Sequence, residues 1–132
     1  MKIKVCGMKD PQNIKQIAYL NPDMMGFIFY EKSDRYVDDH SLKEVIQELP
    51  SSIFRVAVFV DEDSEKVLQI CKDLGFSHAQ LHGNETPEHC AQIQAGGISV
   101  IKVFHIDETF DFLCTQPYEN CSDLFLFDTK TK

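Results

Sequence analysis

Lys4-Val5-Cys6-Gly7-Met8 reads as a strand handing over to a helix. Ile3 and Val5 are apolar and β-branched, and Lys2, Lys4 and Cys6 alternate with them at the period of two that a strand imposes. Gly7 supplies the backbone freedom for a sharp exit. Asp10 and Pro11 then form a helix start, an N-cap followed by the one helical position that tolerates proline. A cysteine at such a junction stands where parallel α/β folds carry their chemistry. A cysteine in general is a small buried hydrophobe; its place beside Gly7 at a strand end sets Cys6 apart.

The same pattern repeats outward from this unit. Apolar runs at 2–6, 25–29, 55–60, 78–81, 99–103 and 124–127 read as strands. Helical spacing separates them. Ile14, Ile17 and Ala18 share one face over residues 13–20. Residues 41–49 open on Ser41 with Glu44 three places on, a capping-box pattern. Over residues 64–74, Val67, Leu68, Cys71 and Leu74 fall at helical spacing before Gly75. Thr86-Pro87 begins a helix that runs to Ala95, and residues 108–115 form a fifth candidate. The strands start at residues 2, 25, 55, 78, 99 and 124, each interval leaving room for one crossover helix. Strict alternation with near-continuous apolar strands predicts a parallel sheet covered by helices. Two closures satisfy it, a TIM (β/α)8 barrel or an open flavodoxin-like sheet. The first turn has one glycine and no G-x-G-x-x-G, which weakens a dinucleotide fold. A barrel at this repeat needs roughly 200 residues, so 132 residues supply about its first six strands, a single incomplete domain over residues 1–132.

Composition narrows the function. Twenty-one acidic residues against 13 basic ones give a net charge of −8, with no basic cluster. Such a chain is a poor partner for nucleic acid or an anionic membrane. Five cysteines without a C-x-x-C pair do not form a disulfide framework. The start MKIKVCGM lacks the apolar core of a signal peptide, and no apolar run has membrane-spanning length. A cytoplasmic, reduced protein is expected.

The predicted strand ends place a thiol, an arginine, an imidazole and a carboxylate on one rim. Cys6 follows strand one, and the polar loop with Arg35 follows strand two. His82 follows strand four, and Asp128 ends strand six. Together they offer a base, an acid and an anion clamp. Phe27, Phe29 and Tyr30 read as core and rim packing. His78, His82, His89, Cys90 and His105 match no metal-ligand spacing, so scattered surface histidines and no metal are expected.

The ordered motifs KVCGM, GFIFYEKSDRYV, VAVFV, AQLHGNE and LFDT resemble phosphoribosylanthranilate isomerase over essentially the whole chain. The resemblance implies a TIM barrel of tryptophan biosynthesis. It implies an Amadori rearrangement of N-(5-phosphoribosyl)anthranilate, with no cofactor and a phosphorylated small molecule as partner. The family's catalytic cysteine falls on Cys6 and its catalytic aspartate on Asp128. The arginine used towards the substrate's carboxylate falls on Arg35, and a histidine of the fourth-strand motif falls on His82. The family continues beyond Asp128-Thr129 through two further units that hold its phosphate-binding glycines. The chain therefore reads as a fragment that carries the acid and the base without the phosphate site. The fragment is expected to be inactive and to self-associate, the full-length protein to be a monomer or dimer.

On this chemistry an acid protonates the ribose ring oxygen, and a base removes the C2 proton from the resulting Schiff base. Asp128 would be the acid and Cys6, as thiolate, the base. Lys4 lies two residues before Cys6 and so shares its face. Its ammonium either holds negative charge near Cys6 or Asp128, or extends to solvent at the barrel's bottom. The competing function is an open α/β module that binds a small anion without catalysis.

Overall fold

Asp10 caps the first helix as its sequence position requires: its Oδ1 accepts from the Asn13 amide at 2.8 Å, and the helix runs Pro11–Tyr19 (α1). Thr86 does the same for Pro87–Ala95 (α4), accepting from His89 N at 3.2 Å. Ser64–Leu74 (α3) has the predicted bounds and ends on Gly75 in the left-handed conformation, φ 80°. The computed structural model describes residues 1–38 and 41–129. Its strands are Lys4–Val5 (β1), Met24–Ile28 (β2), Phe54–Phe59 (β3), His78–Leu81 (β4), Ser99–Ile106 (β5) and Leu124–Thr129 (β6).

All five strand pairings are parallel, and the order is β1-β2-β3-β4-β5-β6. A flavodoxin-like sheet reverses its strand order at a switch point. No reversal occurs here, so that alternative does not describe this chain. Right-handed crossovers in a strictly sequential sheet deliver every helix to the same face. The packing agrees. Ile14 of α1, Ile46, Val67 of α3 and Ile93 of α4 share one buried cluster with Phe27, Phe59, Leu81 and Val100. Phe27 and Phe29 lie within it, against Phe76 and Phe59, which is the packing role expected of them. The opposite, inner face carries a separate small cluster of Met24, Val56 and Ile101, with Leu126 against it. The register defines this face in rows: Lys4 beside Met24, Val58 beside Gln80, His105 beside Asp128.

Three local expectations need correction. Strand one is shorter than residues 2–6, and Cys6 lies just beyond its last residue. Ser41 is not a helix cap. The second helix is Lys43–Gln47 (α2), its N-cap is Leu42, and no side chain caps it. The Ser41 amide is instead taken by Asp38 Oδ1 at 2.8 Å. The fifth candidate helix, residues 108–115, is a 3-10 helix at Phe112–Tyr118. Asp107 Oδ1 captures the Thr109 amide and hydroxyl, and Asp111 Oδ1 captures the Leu113 amide. These side-chain bonds favour turns over α-helix, and Pro117 lies inside the segment.

Candidate active site

Cys6 owes its position to two glycines. The carbonyl of Gly26 in β2 accepts from both Gly7 N and Met8 N at 3.0 Å, which turns the chain away just after the cysteine. A Cβ on Gly26 would lie 2.8 Å from Cys6 Sγ, so the thiol occupies the space that glycine leaves open. Gly7 has φ 79°, and a Cβ there would strike the Arg35 side chain, with Cδ at 2.7 Å. The arginine thus lies directly over the strand-one turn.

Arg35 reaches that place because its loop is stitched back onto β2. Ser33 N donates to Tyr30 O, and Tyr36 N donates to Ser33 O. Val37 N then donates to Ile28 O at 2.9 Å, and Tyr36 forms a parallel bridge with Ile28. Lys9 Nζ bonds Asp34 O at 3.2 Å from the other side. The Arg35 guanidinium ends with Nη1 3.5 Å from the Cys6 carbonyl. Lys4 shares the inner face with Cys6, as alternation predicts, one row nearer the amino ends of the strands. It makes no ion pair or hydrogen bond among the described residues.

His82 and Asp128 meet across the other half of the rim. The His82 Nε2 lies 3.4 Å from Asp128 Oδ2, and its Nδ1 lies 3.2 Å from the Gln80 amide nitrogen. His105, in register with Asp128 on β6, adds a second imidazole: its ring centroid is 5.0 Å from that of His82, and its Nε2 is 3.1 Å from the His82 carbonyl. Burial pulls the His82 imidazole below its ordinary 6.5, and the neighbouring His105 adds to this, against the opposing pull of Asp128 and Glu85. The expectation of scattered surface histidines fails for these two. Adjacent parallel strands bring residues 23 positions apart to one rim.

Sequence reasoning assigned no role to Lys102 and Glu85. Lys102 is buried on the helix-facing side of β5, where its Nζ donates to Gly83 O at 2.8 Å, Leu81 O at 3.3 Å and Glu85 Oε1 at 3.1 Å. The Glu85 carboxylate also accepts from the Asp61 and Gly83 amides, and Asp61 in turn accepts from Asn84 N through Oδ1 at 2.6 Å. The pair therefore ties down the turn that follows His82. One signal was available, a lysine inside the otherwise apolar run Val100-Ile101-Lys102-Val103-Phe104. A cleft of about 540 Å³ opens beside it, lined in part by Asn84, His105, Phe110 and Tyr118.

Parallel strands in sequential order, with helices on one face and polar groups at the carboxyl ends, define a β/α sheet of the barrel type. The family model of N-(5'-phosphoribosyl)anthranilate (PRA) isomerase matches residues 3–132. A protein of Phocaeicola vulgatus named N-(5'-phosphoribosyl)anthranilate isomerase is 46% identical over 98% of this chain and 60% of its own length. The chain superimposes on phosphoribosyl anthranilate isomerase from Thermotoga maritima with a TM-score of 0.89 and 34% identity, covering 100% of this chain and 63% of that one. A further isomerase structure, in complex with reduced 1-(o-carboxyphenylamino)-1-deoxyribulose 5-phosphate, gives a TM-score of 0.78 at 29% identity, over 99% of this chain and 76% of that one. The chain belongs to the phosphoribosylanthranilate isomerase family. It spans about 60% of the length of the curated relatives it matches. Among the described residues no helix is long and apolar enough to cross a membrane.

Proposed function

We propose that this chain forms the first six strands of a TIM barrel and carries the acid and base of an isomerase of tryptophan biosynthesis. The reaction is the Amadori rearrangement of N-(5-phosphoribosyl)anthranilate to 1-(2-carboxyphenylamino)-1-deoxyribulose 5-phosphate. One observation carries the reading. Cys6 and Asp128 lie at the two edges of the sheet, yet both belong to its inner face and its carboxyl rim. The relatives' names support it, as does the bound product analogue of the neighbouring structure.

Asp128 donates a proton to the ribose ring oxygen, and the C1–O bond opens to a Schiff base with the anthranilate nitrogen. Cys6, as thiolate, takes the C2 proton, and the enolamine collapses to the ketone. The Arg35 guanidinium lies against the Cys6 carbonyl, with Nη1 at 3.5 Å. The same planar fork suits two parallel bonds to the anthranilate carboxylate. His82 beside Asp128 orients the acid.

The test uses two proteins, the 132-residue chain and a hybrid that joins it to the remaining length of the Phocaeicola vulgatus relative. Conversion of N-(5-phosphoribosyl)anthranilate is expected in the hybrid and not in the short chain. Within the hybrid, Cys6→Ser and Asp128→Asn should each lower turnover about 100-fold or more, as loss of an acid–base group does. Normal turnover in either variant removes that residue from the mechanism. An inactive hybrid that folds overturns the reading altogether.

A further inference from the structure

We propose that His82, His105 and Asp128 form a binding site for one divalent transition-metal ion of the zinc class, at the inner rim between β4, β5 and β6. One ring nitrogen of each imidazole and one carboxylate oxygen lie within 4.8 Å of one another. Zinc takes nitrogen and oxygen ligands at about 2.0–2.2 Å in a tetrahedron, which puts neighbouring ligand atoms about 3.3 Å apart. The His82 Nε2 and Asp128 Oδ2 are already 3.4 Å apart. The third ligand comes from His105, whose side chain is exposed on β5.

One feature distinguishes the cluster from a chance meeting of surface groups. Ligating imidazoles are held through their other ring nitrogen by an outer partner. His82 has such a partner in Gln80, 3.2 Å from Nδ1, and the Gln80 Oε1 is a buried oxygen that lacks a hydrogen bond in its present orientation. His105 has its Nε2 against the His82 carbonyl, which fixes its ring plane. Two imidazoles and one carboxylate leave at least one coordination position open to water or to an anionic ligand.

The site shares Asp128 with the proposed isomerase. If that reading holds, a bound ion removes the acid and inhibits. The binding experiment does not depend on it. ZnCl2 is titrated calorimetrically into the untagged chain, and CoCl2 binding is followed by visible absorption. One ion per chain is expected, with the intense bands of low-coordinate cobalt. Loss of an outer partner alone weakens metal sites about 10–100-fold, so His105→Ala and Asp128→Asn should each weaken zinc binding by about 100-fold. His105→Cys, which restores a soft ligand, should recover much of it. His78→Gln, on the same face but away from the cluster, should leave it unchanged. Equal zinc affinity in His105→Ala and the parent chain, or no stoichiometric binding in the parent, overturns the proposal. Far-UV circular dichroism of each variant distinguishes a lost ligand from a lost fold.

Discussion

Gly26 shows how much one missing side chain decides. Its absent Cβ would sit 2.8 Å from Cys6 Sγ and 3.4 Å from Cys6 Cα, so an alanine there has to displace the thiol or the backbone that carries it. Overpacking of this kind costs about 1–3 kcal/mol. Gly26→Ala should lower the urea midpoint accordingly and cut hybrid turnover more than tenfold; an unchanged midpoint and unchanged turnover would mean that the thiol is not held there. Histidines give a second prediction at this scale. His82 and His78 both have their pKa lowered from 6.5, in each case first by burial; His105 lowers His82 further, while Asp123 opposes the shift at His78. A lowered histidine pKa means that the unfolded chain binds more protons as pH falls through 6.5. The stability present above that pH is therefore lost as pH drops towards the folded pKa. Thermal unfolding of the parent should move to lower temperature between pH 7 and pH 5.5, and the His78→Gln/His82→Gln double variant should show a shallower dependence. Parallel curves would refute this.

Among the elements, the turn after β4 is the one held by charge. Lys102 and Glu85 are 3% and 1% exposed at their side chains, with 3.1 Å between Nζ and Oε1. Removing one partner of a buried pair leaves the other charge uncompensated, at a cost of about 3–5 kcal/mol, whereas removing both is far milder. Lys102→Met should therefore destabilise strongly, and Lys102→Met/Glu85→Gln should cost less than the sum of the single changes. Urea denaturation of the four proteins provides the cycle, and simple additivity would show that the two groups act independently. Because the pair fixes Gly83 and Leu81 through their carbonyls, its loss should also disturb the His82 ring, which is readable as a change in the His82 imidazole resonances.

At the scale of the 132-residue chain, β1 and β6 each pair on one side only among the described residues. Leu124 and Phe127 of β6 are 44% and 43% exposed, and the exposed Phe112 has its ring 5.6 Å from that of Phe127. Unpaired backbone groups next to exposed apolar side chains are a template for association. Light scattering of the 132-residue chain should give a mass at least twice 15.2 kDa, and Leu124→Lys/Phe127→Glu should lower it. A monodisperse monomer at high concentration would contradict this.

Strand and helix positions could be read from the sequence because their signals are local. Asp10-Pro11, Thr86-Pro87 and Gly75 mark helix ends within a few residues, and alternation at period two marks the strands. Cys6, Arg35 and Asp128 stood out through short ordered motifs, and the family reading followed from them. Ser41 misled because Asp38, three residues earlier, took its amide first. What the sequence could not contain was register. Lys102 finds Glu85 across 17 residues and His105 meets His82 across 23. Those meetings exist only once β4, β5 and β6 lie side by side in parallel. A local pattern fixes which face a residue takes, but only the packed sheet fixes its neighbour on that face.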